Sequence, residues 1–142
     1  MIAFTVKGQA VPKQRPRLTR GRQAYTPKKT RDYEERVRIA FRSSYKGVLP
    51  AYDSGVPVRA RIEIVQQIPK SWSRIKQEKA IAGSIIPAGR NGDLDNIAKS
   101  ILDALNGLAY ADDCQVTMLI ISKRYGPEPM ASIEFSEEIN QQ

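Results

Sequence analysis

Apolar residues alternate at Ile2, Phe4 and Val6, which predicts a short strand over Ile2–Lys7. From Thr26-Pro27 the period lengthens. Tyr33, Val37, Ala40, Phe41, Ser44 and Tyr45 fall on one face of a helix that runs to about Lys46 and stops at Gly47, with Thr26 as its cap and Pro27 in its first position. Arg31, Arg38, Arg42 and Lys46 fall on the opposite face, where Arg31–Glu35 and Glu34–Arg38 are spaced to pair one turn apart. Ile39 is out of phase with the apolar stripe, either exposed by chance or a contact with a second subunit. Alternation returns at Val58, Ala60, Ile62 and Ile64 and predicts a long strand over Val58–Ile68, ended by Pro69. Ser71 is placed to cap a short helix closed by Gly83. A further helix covers Asp93–Asn106, and strands follow over Cys114–Tyr125 and Met130–Phe135, with a frayed tail after Phe135. The order β-α-β-α-α-β-β predicts an α+β fold, one mixed sheet with helices packed on it, in a single domain over residues 1–142.

The third helix is the most informative. Leu94, Ile97, Ala98, Ile101, Leu102 and Leu105 form its buried face. Asp95, Asn96, Lys99, Asp103 and Asn106 sit within about 100° of one another on the other face. Asp93 and Asp95 would point about 200° apart inside a helix. They converge only if Asp93 stands outside it with non-helical backbone, which Gly92 permits. Capping and a first-turn acid also explain this pair. Asp112-Asp113, a short turn beyond the helix, gives the alternative its weight: a return of the chain would bring them toward Asp93 and Asp95. Three carboxylates within ~4 Å repel by roughly 4 kcal/mol per pair at an effective dielectric of 20, so such a cluster protonates or takes up a cation. All-oxygen ligands point to Mg²⁺, with Mn²⁺ as a substitute.

Charge and composition narrow the chemistry. Net charge is +8, and residues 1–46 carry 13 Lys/Arg against 3 Asp/Glu, so the basic excess lies in the front of the chain. Lys13, Arg15, Arg17, Arg20 and Arg22 fall in one Pro- and Gly-containing loop, suited to phosphate contacts. A solvated basic surface would look the same by charge alone. No His is present, which removes the usual general base and most zinc sites. The single cysteine, Cys114, allows no internal disulfide and fits a cytoplasmic protein. No apolar run reaches the ~20 residues of a membrane span, and the first residues do not read as a signal peptide.

Several stretches resemble the RusA family of Holliday junction resolvases, which are often prophage-encoded. They are D-L-D-N-x-x-K at Asp93–Lys99, D-A-L-N-G at Asp103–Gly107 and D-D-x-Q-V at Asp112–Val116, with G-x-x-V-P-K-Q-R-P-R at Gly8–Arg17 and Y-T-P-x-x-T at Tyr25–Thr30. P-K-S-W-S at Pro69–Ser73 and K-R-Y at Lys123–Tyr125 are also similar to family members. The resemblance implies a homodimeric, Mg²⁺-dependent endonuclease acting in DNA recombination and repair, which nicks four-way DNA in pairs. It implies Asp93, Asp95 and Asp113 as essential metal-binding carboxylates, Asp112 as an assistant and Lys99 as the catalytic or DNA-contacting lysine. Asn96 and Asp103 are expected to orient these ligands. Two other readings are a non-catalytic branched-DNA-binding protein and a phosphohydrolase of small phosphates; the second leaves the basic front without a purpose.

Overall fold

A computed structural model describes residues 1–14, 27–89 and 93–139. Strands β1 (Ile2–Lys7), β2 (Val58–Gln67), β3 (Val116–Gly126) and β4 (Met130–Glu137) form one sheet in the order β1-β4-β2-β3. Helices α1 (Lys28–Ser44), α2 (Arg74–Ile81) and α3 (Leu94–Ala104) complete the α+β architecture in the expected order. The β1–β4 and β4–β2 pairs are antiparallel, and β2–β3 is parallel. A parallel pair cannot be joined by a hairpin. The chain therefore leaves the end of β2, passes through α2 and α3, and re-enters the sheet at the start of β3.

Register explains which face is covered. Phe4, Ile133, Ile62 and Ile121 lie in one row across the sheet, and the next row on the opposite face is Thr5, Ser132, Glu63 and Ser122. The first face is apolar because successive strand residues alternate sides. Tyr33, Val37 and Phe41 of α1 and Ile97 and Ile101 of α3 share one buried cluster with Phe4, Ile62 and Ile133. Edge-to-face ring contacts join Phe4 to Phe41 at 5.6 Å and Tyr110 to Phe135 at 5.8 Å. Burying each such side chain is worth about 1.5–3 kcal/mol.

Element ends depart from the sequence reading in small ways, each with a local cause. Pro27 stands before α1 rather than in its first turn, and the expected cap Thr26 lies outside the described residues. The helix stops at Ser44 because Tyr45 is extended, which leaves Ser44 exposed rather than on the core stripe. Ser73, not Ser71, caps α2 by accepting the Lys76 N–H at 3.2 Å. β3 begins at Val116 because Asp113–Gln115 form a 3-10 turn. β4 runs on through Ser136 and Glu137, where pairing with β2 continues, so this part of the tail is not frayed. Among the described residues no helix is long and apolar enough to cross a membrane.

Candidate active site

Helix α3 carries acidic groups at both ends. At its start Asp93 has non-helical backbone (φ −58°, ψ 108°), as the spacing required. Its side chain makes no cap bond to the helix and instead accepts a hydrogen bond from Asn96 Nδ2 at 2.9 Å. This frees it to meet Asp95. The hydrogen bond between the two carboxyl groups is the largest influence on both, raising Asp93 above the ordinary carboxylate value and lowering Asp95 below it. Asp95 is further steadied by the Asn96 N–H at 3.0 Å. Both aspartates are exposed, and the charge of Lys123 on β3 reaches Asp93. Lys99, one turn beyond Asp95, is also exposed.

The other end is built differently. Gly107, at φ +81°, turns the chain after α3, and its N–H donates to Tyr110 O at 2.7 Å. Buried Tyr110 donates its hydroxyl to Leu102 O at 2.6 Å, which fastens the turn to the helix. The Asp113 N–H donates to Asn106 Oδ1 at 2.8 Å. Burial, then hydrogen bonds to Asp103 and Asp112, push the Asp113 carboxyl up to about 6. Asp112 is lowered, chiefly because its side chain accepts the Cys114 N–H, at 3.0 Å. Gln115 holds the base of this turn. Its Oε1 accepts from Ala111 N (2.9 Å) and Asp112 N (3.1 Å), and its Nε2 donates to Asp53 O (2.8 Å) and Val56 O (3.1 Å).

The expected return of Asp112 and Asp113 toward Asp93 and Asp95 therefore does not occur within one chain. Asp113 meets Asp103 instead, about 12 Å along the helix axis from Asp95 at 1.5 Å per residue. The cause is direction: α3 runs back along the sheet, and the turn after it is too short to bring the chain up again before β3 starts. Among the described residues no three acidic side chains are arranged to enclose a cation. The donors nonetheless fit a hard cation in kind. They are all oxygen, and two exposed carboxyls held side by side are the hard ligands such a cation takes.

Of the expected phosphate-binding residues, Arg15, Arg17, Arg20 and Arg22 lie outside the described residues. Lys13 is described, and it points inward. Its ammonium pairs with Glu34 of α1 and lies 3.6 Å from Asp103, while its N–H donates to Asn96 O at 2.8 Å. Ser100 Oγ donates to Val11 O at 2.8 Å, so residues 11–13 are laid along α3. Lys13 thus answers carboxylates of its own chain. The sequence reading did not single out Gln115, although the Asp112–Gln115 spacing is that of a capping box. It also missed Lys123, whose only sequence signal is its place in K-R-Y.

Residues 7–136 match the family model described as Endodeoxyribonuclease RusA. The chain is also 34% identical over 141 residues to a Bacillus subtilis (strain 168) protein that carries the description uncharacterized protein YqaN, with 96% of each chain covered.

Proposed function

Because the chain belongs to the RusA endodeoxyribonuclease family, we propose that it is a Mg²⁺-dependent resolvase that nicks four-way DNA junctions in symmetric pairs. The observation that carries this reading is the pair of exposed carboxyls, Asp93 and Asp95, brought together at the start of α3 by the non-helical backbone of Asp93 and the hold of Asn96 on it. Asp93, Asp95 and Asp113 are the proposed ligands, with Asp112 assisting. A bound divalent cation would polarise a phosphate oxygen and lower the pKa of water, which supplies a nucleophile without histidine. Asn96 holds Asp93 in place, and Lys99 is set to meet the negative charge that develops on the phosphate. The basic residues of the front segment bring in the DNA backbone.

A junction has approximate two-fold symmetry, so two cuts call for two sites and a homodimer with a two-fold axis. The edge of β3 supports a surface for it. Met118, Leu119 and Ile120 are 39%, 41% and 44% exposed there, and among the described residues β2 is the one strand that pairs with β3. Antiparallel meeting of two such edges reverses their ends. It would offer the Asp112-Asp113 end of one copy to the Asp93–Asp95 end of the other. Ile39 on α1, 56% exposed, is the competing contact.

The test is nicking of a four-way junction with Mg²⁺ and with EDTA, for wild type and Asp95→Asn. Cleavage that survives EDTA, or a variant as fast as wild type, overturns the site. Binding should also weaken by ~10³–10⁵ between about 50 and 200 mM salt if ~6–10 phosphates are contacted.

A further inference from the structure

The segment between β2 and α3 plays no part in the site above, yet it is fixed with care. Residues 69–83 hold four basic side chains against one acidic, and Trp72 is the single tryptophan of the chain. The Trp72 N–H closes a turn onto Pro69 O at 3.1 Å, and Gln77 Nε2 donates to Trp72 O at 2.8 Å. The indole stays partly exposed. The Tyr125 ring packs against it, with centroids 5.3 Å apart and planes at 67°, and the Lys76 ammonium stands 3.9 Å from its centroid. Helix α2 itself contributes little to the core. Ala80 is its one buried residue, while Ile75 and Ile81 are 68% and 57% exposed.

The position of this group gives it meaning. Tyr125 lies two residues beyond Lys123 on β3, so both side chains project from the same face, about 7 Å apart along the strand. Tyr125 pairs with Gln66 at the end of β2, where the chain departs for α2 and α3, and both helices pack against β3. The aromatic pair therefore lies toward the end of the sheet from which α3 starts with Asp93 and Asp95, and the charge of Lys123 reaches Asp93. An indole steadied by a ring, with the exposed, flexible Lys76 over a face that it can leave to a base, presents the two features that single-stranded nucleic acid needs. A flat surface takes a base, and nearby cations take the phosphates on either side of it. Bases inside a duplex have both faces covered, so such a surface selects unpaired ones.

Building on the nuclease reading, we propose that Trp72, backed by Tyr125, is a stacking platform for an unpaired base next to the cutting site. Lys76 and Lys70 then hold the flanking phosphates. Recognition of a branch would come in part from bases that the branch leaves unstacked.

The single tryptophan makes the test direct. The full chain, in EDTA so that no cleavage intervenes, is titrated with a short oligothymidylate, a four-way junction and a blunt duplex, with saturation followed by anisotropy. Trp72 emission should be quenched by the first two and little changed by the duplex. Trp72→Ala should weaken oligothymidylate binding about 5- to 150-fold, the worth of one base–aromatic stack. Trp72→Phe, which keeps a ring against Tyr125, should retain most of the affinity. Unchanged emission at saturation overturns the proposal, as does a Trp72→Ala protein that binds oligothymidylate normally or loses all three DNAs equally. If Trp72→Ala does not fold, wild-type quenching decides. Quenching without Mg²⁺-dependent cleavage sinks the nuclease reading and leaves the platform standing; cleavage without quenching does the reverse.

Discussion

The two ends of α3 hold the same chemical group in opposite settings. At the start, Asp93 and Asp95 are exposed, and the groups that steady them come chiefly from one neighbour, Asn96. At the finish, Asp103, Asp112 and Asp113 are woven into backbone hydrogen bonds, a 3-10 turn and an ion pair with Lys13. The first end can change partners at little structural cost. The second cannot. A carboxylate kept available for a ligand and one that also props up a turn differ in what their loss destroys, and this can be measured.

The largest expected contrast is in cleavage. Asp95→Asn should cut junction nicking by about a hundredfold or more, since even a residue that only orients a metal ligand is worth 10- to 100-fold. Its melting temperature should hardly move. Asp103→Asn should do less to nicking and more to stability. Equal effects at both ends would erase the distinction. Next comes Gln115→Ala, which strips four hydrogen bonds from the base of the turn. It should cost about 2–4 kcal/mol in urea unfolding, with some groups re-solvated by water.

Much of the plan was legible in the sequence because periodicity reports burial directly. The Phe4–Val6 and Ala60–Ile64 alternations and the Ile97–Ile101 stripe all reached the core. The non-helical backbone of Asp93 was legible too, because two aspartates two residues apart cannot otherwise meet. The whereabouts of Asp113 was not. That depends on the parallel pairing of β3 with β2, a long-range choice with no local signature. The partners of Lys13 were hidden for a related reason: a lysine among arginines reads as part of a basic loop, and only the packing of α1 against α3 brings Glu34 and Asp103 to it.

Lys13→Met tests that packing. It removes the Lys13 charge from partly buried Glu34 and Asp103, leaving Glu34 only Arg38 at 4.0 Å, and should cost about 1–3 kcal/mol, below the full value for a buried pair because the side chains retain some exposure (19% for Lys13, 14% for Glu34). The smallest effect is a pH slope. The raised Asp113 pKa means that its proton stabilises the metal-free fold fully below about pH 4. That contribution is lost as the pH rises through about 6. Thermal melts across this window should show the decline, Asp113→Asn should remove it, and Mg²⁺ should reduce it if the cation takes the proton's place. A slope that persists in Asp113→Asn would assign it to another group.

The strand order β1-β4-β2-β3 carries a consequence for synthesis. β4, the last of these four strands to leave the ribosome, is inserted between the first and the second, with Phe135 opposite both Ile2 and Ala60. Until Met130 and the residues after it emerge, β1 has no strand to pair with, and the apolar row of Phe4 and Val6 lacks its flank. Assembly of the sheet is therefore postponed until β4 has emerged, and a chain halted before it would leave two separate edges open to strangers.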